Sequence, residues 1–499
     1  MTLRDKRVLL PVIALLIGAV ALMERADEAA PWLQSPPAHA EETYGEWRST
    51  AGGWAVPEWH RAMLALNPPD SEGPILVDRR HSRKQTFDTR LSLTEVRYKR
   101  MHGLGELSDI LAGVNLPISE TTRTLTGKRL GGASALFLNL PSGDGPGFTH
   151  AEVVAIESFV RAGGGLVVLT DHSNAYFHAE MLEPLLSRLG VQTPPATACD
   201  QEPGFTLSPK TTTWIAPRTH GNHPVVEKVS RIGLMTGGAV VPRDSDGPWS
   251  VLATTSGSGW MDHWHPYRRP KSSGFTGNMA QDADEPMGPV PVLAAAEIGA
   301  GRVVVLGDQN AWGSVLLGFE DNAQLAANAF LWAAGRPSQS ISSPAVEIIS
   351  GDAYACGTVS PPGFHTFFVA AARKGGEHGA RHSCRSQPGP SSATRIWLPQ
   401  RPPEPSDLSL SDRHVVVADS ESSGELRAVL GLGAGDPEDP WRTLYTAPGG
   451  QEVWWIEDAQ LLQNRRLGRE RVPLVDEQGT LRAEVRAAFE VLDWAYGSP

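Results

Sequence analysis

The sequence predicts an α/β fold, a parallel sheet covered by helices on both faces, and three observations lead there. Ala135-Leu136-Phe137-Leu138-Asn139 is a short, almost wholly apolar strand. An amphipathic helix from Thr149 and a glycine turn, Gly163 to Gly165, carry the chain to a second such strand, Leu166 to Thr170. Further on, Arg302 to Leu306 repeats the apolar run, ends on Gly307-Asp308, and is followed by a helix over 321–332. Nearly continuous apolar strands separated by helices are βαβ units, whose parallel strands are buried on both faces and joined by right-handed crossovers.

Taken in order, the chain opens with Arg4, Lys6 and Arg7 before an apolar run from Val8 to Met23. A basic flank before such a run is an export signal with its positive end held in the cytoplasm. Residues 1–23 are therefore expected to be a signal anchor, with a cleaved signal peptide as the alternative. The anchor would make the protein single-pass at the cell membrane with its bulk extracytoplasmic; cleavage would leave it secreted or periplasmic. Residues 24–72 lack periodicity and read as an extracytoplasmic spacer, with a short helix over 59–66. The main α/β domain is expected over 73–336. Its first strand, Ile75 to Asp78, is followed by a helix over 92–112 and then by the βαβ core. Thr149 with Glu152 three residues on is a capping box for the core helix. Beyond Leu189 the pattern loosens into short strands (214–216, 238–241, 251–253) and a polar insertion over 257–290, before a strand at 292–297. A Pro/Ser linker at 337–344 leads to a smaller C-terminal α/β unit, 345–499. There a strand over 453–456 ending in acid at Asp458, and the helix reaching Trp494, echo the strand ending at Asp308 and the helix ending at Trp332. That echo marks the unit as a candidate degenerate repeat; chance similarity of one strand-helix pair is the alternative.

The bulk numbers exclude some classes. At 499 residues the chain is too long for one core. A net charge of −12, with no long basic run outside the N-terminus, argues against nucleic acid as a partner. Three cysteines cannot build a disulfide scaffold or a cysteine-rich zinc site. Cys356 and Cys384 are open to pairing in an oxidising compartment, or to remaining thiols.

The residues at 75–81, Phe148-Thr149 with Glu152, Phe159-Val160 with Gly163 to Gly165, 166–174, His223-Pro224-Val225, and 301–308 with Asn328 and Trp332 carry a resemblance. As a set covering 73–335, they resemble the class I glutamine amidotransferase-like superfamily. The similarity is to its non-amidotransferase branch, which includes gliding-motility-type ABC transporter auxiliary proteins and intraflagellar-transport-type domains. The resemblance implies a flavodoxin-like sheet and binding of ligands or partners without amidotransferase chemistry. True amidotransferases place Gly-x-Cys-x-Gly after the strand, whereas Asp171-His172-Ser173-Asn174 stands there here. Glutamine hydrolysis is not expected.

Ligands of open α/β sheets bind beyond the carboxyl ends of the strands. That rule gathers Asp78, His81, Asp171, His172, Asn174, Asp308 and Asn310 as candidate ligand-binding residues, with Asp171 and His172 the candidate catalytic pair. His and Asp there suit a metal, a sugar or acid-base work; alternatively the acids cap helices and the imidazoles bond to loops. His223 joins the binding candidates, although before Pro224 it also reads as a turn former. His220, His223, His263 and His265 match no recognised zinc spacing, so neither metal nor cofactor is expected. Ser173 beside His172 suggests a serine hydrolase, but adjacent side chains seldom face each other and Gly-x-Ser-x-Gly is absent. The reading that follows is a membrane-anchored binding or scaffold protein, with a glycan ligand or an envelope or transporter partner. The alternative is a hydrolase of a carbohydrate or envelope polymer using the Asp/His edge.

Overall fold

The computed structural model describes residues 69–82, 86–88, 90, 103–143, 145–264, 277–352, 354–357, 363–377, 380–390, 393–419, 423–433, 436–439, 442–467 and 483–497. The apolar N-terminal run, the spacer helix and His265 lie outside the described residues, as does the stretch 92–102 of the helix expected over 92–112. The described part of that helix, α1, is Gly105–Gly113. No helix among the described residues is long and apolar enough to cross a membrane.

The first sheet has eight strands: β1 (Ile75–Asp78), β2 (Ile118–Thr121), β3 (Ala135–Asn139), β4 (Gly165–Leu169), β5 (Arg218–Thr219), β6 (Trp249–Thr254), β7 (Pro291–Ile298) and β8 (Gly301–Leu306). Their spatial order is β2-β1-β3-β4-β8-β7-β6-β5. The first five in that order are mutually parallel. Numbered along the chain, they run 2-1-3-4-5, the flavodoxin-like order. The sheet is mostly parallel, as expected, and β7, β6 and β5 extend it antiparallel. The cause is the two-residue turn Gly299-Ala300, which only antiparallel neighbours can use. Gly299 takes φ +64 there, and a Cβ would stand 2.6 Å from the Arg161 carbonyl oxygen, so the turn requires glycine.

Alternate residues of each strand face opposite ways. Leu136, Leu138, Leu166, Val168, Val303 and Val305 pack under α2 (His150–Arg161) and α3 (His178–Leu186). Phe137, Val167, Leu169, Val304 and Leu306 pack under α1 and α4 (Asn322–Ala333). Both faces are thus covered, which explains why these strands lack the polar alternation of a one-sided sheet. The capping box of α2 forms in full, Thr149 accepting from the Glu152 N–H and Glu152 from the Thr149 N–H.

The second sheet comprises β9 (Pro344–Ile349), β10 (Arg381–Arg385), β11 (Thr394–Trp397), β12 (Arg413–Val417), β13 (Asp436–Asp439), β14 (Arg442–Thr446) and β15 (Glu452–Ile456). Its order is β10-β9-β11-β12-β15-β14-β13. Its parallel strands again run 2-1-3-4-5, and again antiparallel strands extend the sheet beyond the fifth. One face packs on α5 (His365–Glu377) and α6 (Ala483–Ala495). The end of the fifth strand is also built alike in both sheets. Asp308 caps a 3₁₀ turn through the Asn310 N–H, and Asp458 caps one through the Gln460 N–H.

The two sheets meet at edge strand β10. The Glu320 N–H donates to the Cys384 carbonyl at 3.1 Å, and Phe319 and Cys384 form a parallel bridge. Arg385 Nη1 donates to Asp321 Oδ1 at 2.7 Å, while Glu320 Oε1 accepts from the N–H and hydroxyl of Ser386. Cys356 and Cys384 are joined in a disulfide beside this contact.

Candidate functional site

In a 2-1-3-4-5 sheet the strand order reverses between β1 and β3, and ligands take the crevice at the carboxyl end of that pair. Here the protein fills it with its own side chains. Asp78 ends β1 and folds its chain back: Oδ1 accepts from the Arg80 N–H and Oδ2 from the His81 N–H, at 3.0 and 3.1 Å. The loop swings the His81 ring inward, with Nδ1 3.1 Å from both Asp78 oxygens and Nε2 3.6 Å from Glu152 Oε1. Phe148 stacks on the imidazole at 4.1 Å between centroids. All three polar residues are buried, His81 at 0% exposure.

The electrostatics match an imidazolium held between two carboxylates. Burial pushes the His81 pKa down, but hydrogen bonds and charge from Asp78 and Glu152 outweigh it and leave the pKa raised. For Glu152 burial acts upward, yet His81 and the N–H groups of Thr149 and Leu125 bring it down to about 2. Glu152 caps α2, accepts from Leu125 and pairs with His81, so this carboxylate joins three segments. Its role in the crevice was not legible in the sequence beyond the capping box.

Asp171 and Asp308 stand at the carboxyl ends of adjacent strands β4 and β8, both buried. Burial, then the charge of Asp308, drives Asp171 well above the ordinary carboxylate range. Burial raises Asp308 to about 7 despite the N–H groups of Asn310 and Met235, which donate at 2.7 and 2.6 Å. Asp171 Oδ1 accepts from the N–H of His172 at 2.7 Å, and Gln309 also bonds to this carboxylate.

Asn174, expected to bind a ligand, instead caps α3: its Oδ1 accepts from the Ala179 N–H and its Nδ2 donates to Glu180. Asn310 Nδ2 is turned to the Met235 carbonyl at 3.3 Å. His223 is not part of this edge. It stacks edge-on against Trp332 near the C-terminus of α4, and its ring nitrogen accepts from the Val225 N–H. That places it towards the opposite end of the sheet, as a turn former. His178, which carried no sequence signal, supports the 171–177 loop. Its Nε2 accepts from the Asp171 N–H, so Nδ1 carries the proton and donates to the Ala175 carbonyl. Burial lowers its pKa to about 4, so the ring is neutral.

The expectation that His172 and Ser173 would face apart is corrected. His172 Nδ1 lies 3.1 Å from Ser173 Oγ, and Nε2 lies 3.7 Å from Asp171 Oδ1. Ser173 adopts φ +52 in the tight strand-to-helix turn, which brings its hydroxyl round to the ring and within 3.3 Å of Thr197 Oγ1. Ser173 is 1% exposed.

Compared with known proteins, the chain matches no family model and no curated protein. Among solved structures it is similar to the mmIFT52 N-terminal domain, at 15% identity and TM-score 0.37, over 54% of this chain and 100% of that one. A ThuA-like protein from Bacteroides uniformis matches at 16% identity and TM-score 0.31, over 53% of this chain and 92% of that one. An exo-β-1,4-mannosidase from an Opitutaceae bacterium matches at 12% identity and TM-score 0.26, over 52% of this chain and 36% of that one. Likenesses this distant say nothing of chemistry, and the flavodoxin-like fold stands on the strand order itself.

Proposed function

We propose that this chain is a membrane-anchored, extracytoplasmic binding or scaffold protein whose amidotransferase-like sheet is non-catalytic. It would serve a glycan ligand or an envelope or transporter partner. The observation that carries the reading is the filled crevice: His81, Phe148, Asp78 and Glu152 occupy the switch point where such a sheet would take a substrate. Asp308, Asn174 and Asn310 are likewise spent on backbone and neighbouring side chains. The bond between Cys356 and Cys384 supports the extracytoplasmic part of the reading, since structural disulfides persist in oxidising compartments. The full chain in detergent is expected to leave ester and glycoside panels unhydrolysed. Crosslinking in membranes is expected to recover an envelope component.

The contact of His172 with Ser173 favours a second reading, a hydrolase acting on a carbohydrate or envelope polymer. The geometry has a base within hydrogen-bond reach of a hydroxyl and a carboxylate beside the base. Turnover by the wild type that disappears in Asp171→Ala would replace the first reading with this one.

A further inference from the structure

At the junction of the two sheets lies a cleft of about 600 Å³, within the roughly 300–1,000 Å³ typical of small-molecule sites. The first half lines it with Ser208, Lys210, Thr212 and Arg231, and the second with Ser386 and Arg401. Three cations thus meet hydroxyl groups; Lys210 and Arg401 are each paired with an acid, and Arg231 is the cation whose acidic neighbours are engaged by other groups. Asp200 is the acid in the described lining. It accepts from the Glu202 N–H and from the N–H and hydroxyl of Ser256. Asp321 takes the backbone N–H of Arg231, but its charge is engaged by Arg385. Glu320 is held by Ser386 and Arg385.

Arg231 is consequently left without an ion pair among the described residues, and its Nε and Nη2 have no hydrogen-bond partner there. Lys210, itself exposed, pairs at 2.8 Å with the buried Asp352 across the junction. Arg401 is anchored on Asp407 and lies over the Trp397 ring.

We infer that this cleft binds an acidic sugar, a hydroxyl-bearing oxyanion whose carboxylate or phosphate is met by Arg231. A guanidinium matches either anion with two parallel hydrogen bonds. Ser386 and Thr212 donate their hydroxyl protons to Glu320 and the Met279 carbonyl, and Ser208 accepts the Lys210 N–H, so the first two keep a lone pair and the third a proton for sugar hydroxyls. The inference deepens the binding-protein reading and rests on it.

The test is calorimetric titration of the full chain in detergent with glucuronate, glucose 6-phosphate, glucose and inorganic phosphate. The expected result is binding of at least one acidic sugar, weakened by salt, with glucose inert. Glucuronate alone would identify a carboxylate site, and glucose 6-phosphate alone a phosphate site. Arg231→Gln is expected to weaken binding roughly 10-fold or more. Gln387→Trp, which narrows the mouth from an exposed position, should do the same with an unchanged melting temperature. If phosphate binds as tightly as the sugar phosphate, the sugar part of the inference fails. If no probe binds, or neither variant weakens binding, the site is overturned while the binding-protein reading stands. Turnover of a bound sugar would do the reverse.

Discussion

At the scale of single residues, the polar groups of the first sheet form two buried clusters, one sensitive to both acid and base and the other to base. In the His81 cluster, Glu152 is lowered to about 2 from an ordinary 4.5, so its stabilisation is present above pH 4.5 and lost as the pH falls towards 2. His81 is raised from 6.5, so its stabilisation is present below 6.5 and lost as the pH rises through its folded value. Glu152→Gln, which leaves a buried imidazolium with one carboxylate, is expected to cost roughly 3 kcal/mol in urea unfolding. The Asp171–Asp308 pair is raised from 3.8, with Asp308 at about 7, so its contribution is present below 3.8 and lost as the pH rises to about 7. His178 acts in the other direction, losing stabilisation as the pH falls from 6.5 through about 4. Asp171→Asn is expected to flatten the decline in melting temperature between about pH 4 and 7; a profile parallel to wild type would show that the pair is not the source.

At the scale of elements, legibility followed burial. Strands buried on both faces, such as β3 and β4, were visible as apolar runs. Strand β2 was not, because Ile-Ser-Glu-Thr is a half-exposed edge strand with no hydrophobic period. The edge acids were legible as a set from their places after strands. Their consumption by local N–H groups was not, since it depends on how each loop turns back on its carboxylate. Asn322 is a similar case. From the start of α4 its Nδ2 donates to the carbonyls of Gly233, Ala311 and Leu316, while its Oδ1 accepts from the Gly233 N–H. The Leu316 carbonyl keeps the Phe319 N–H, so Asn322→Ala would strand three buried backbone groups and is expected to cost on the order of 3 kcal/mol, measurable by denaturant unfolding.

At the scale of the whole molecule, the two sheets share one strand order, but the chain between them does not behave as a free linker. Phe319, Leu316, Leu207 and Met235 from the first half lie in the same apolar cluster as Phe367, Phe368 and Ile348 from the second. Arg385, with its two acidic partners, sits at that seam. Arg385→Ala is expected to cost roughly 3 kcal/mol, because it leaves the buried Glu320 and the partly buried Asp321 without a counter-charge. Calorimetry should then show two unfolding transitions where the wild type is expected to show one. A variant that still melts in one step at the wild-type temperature would show that the apolar seam alone holds the halves together.

The position of Cys384 has a chemical corollary. Its carbonyl receives one of the hydrogen bonds that join the halves, and its sulfur is tied to Cys356. The remaining cysteine, Cys199, is buried, and burial with nearby Asp262 pushes its thiol well above the normal range. A native molecule should therefore be silent towards an alkylating reagent. Labelling after gentle reduction would appear first at the seam, making sulfur reactivity a gauge of whether the two halves have been assembled and oxidised intact.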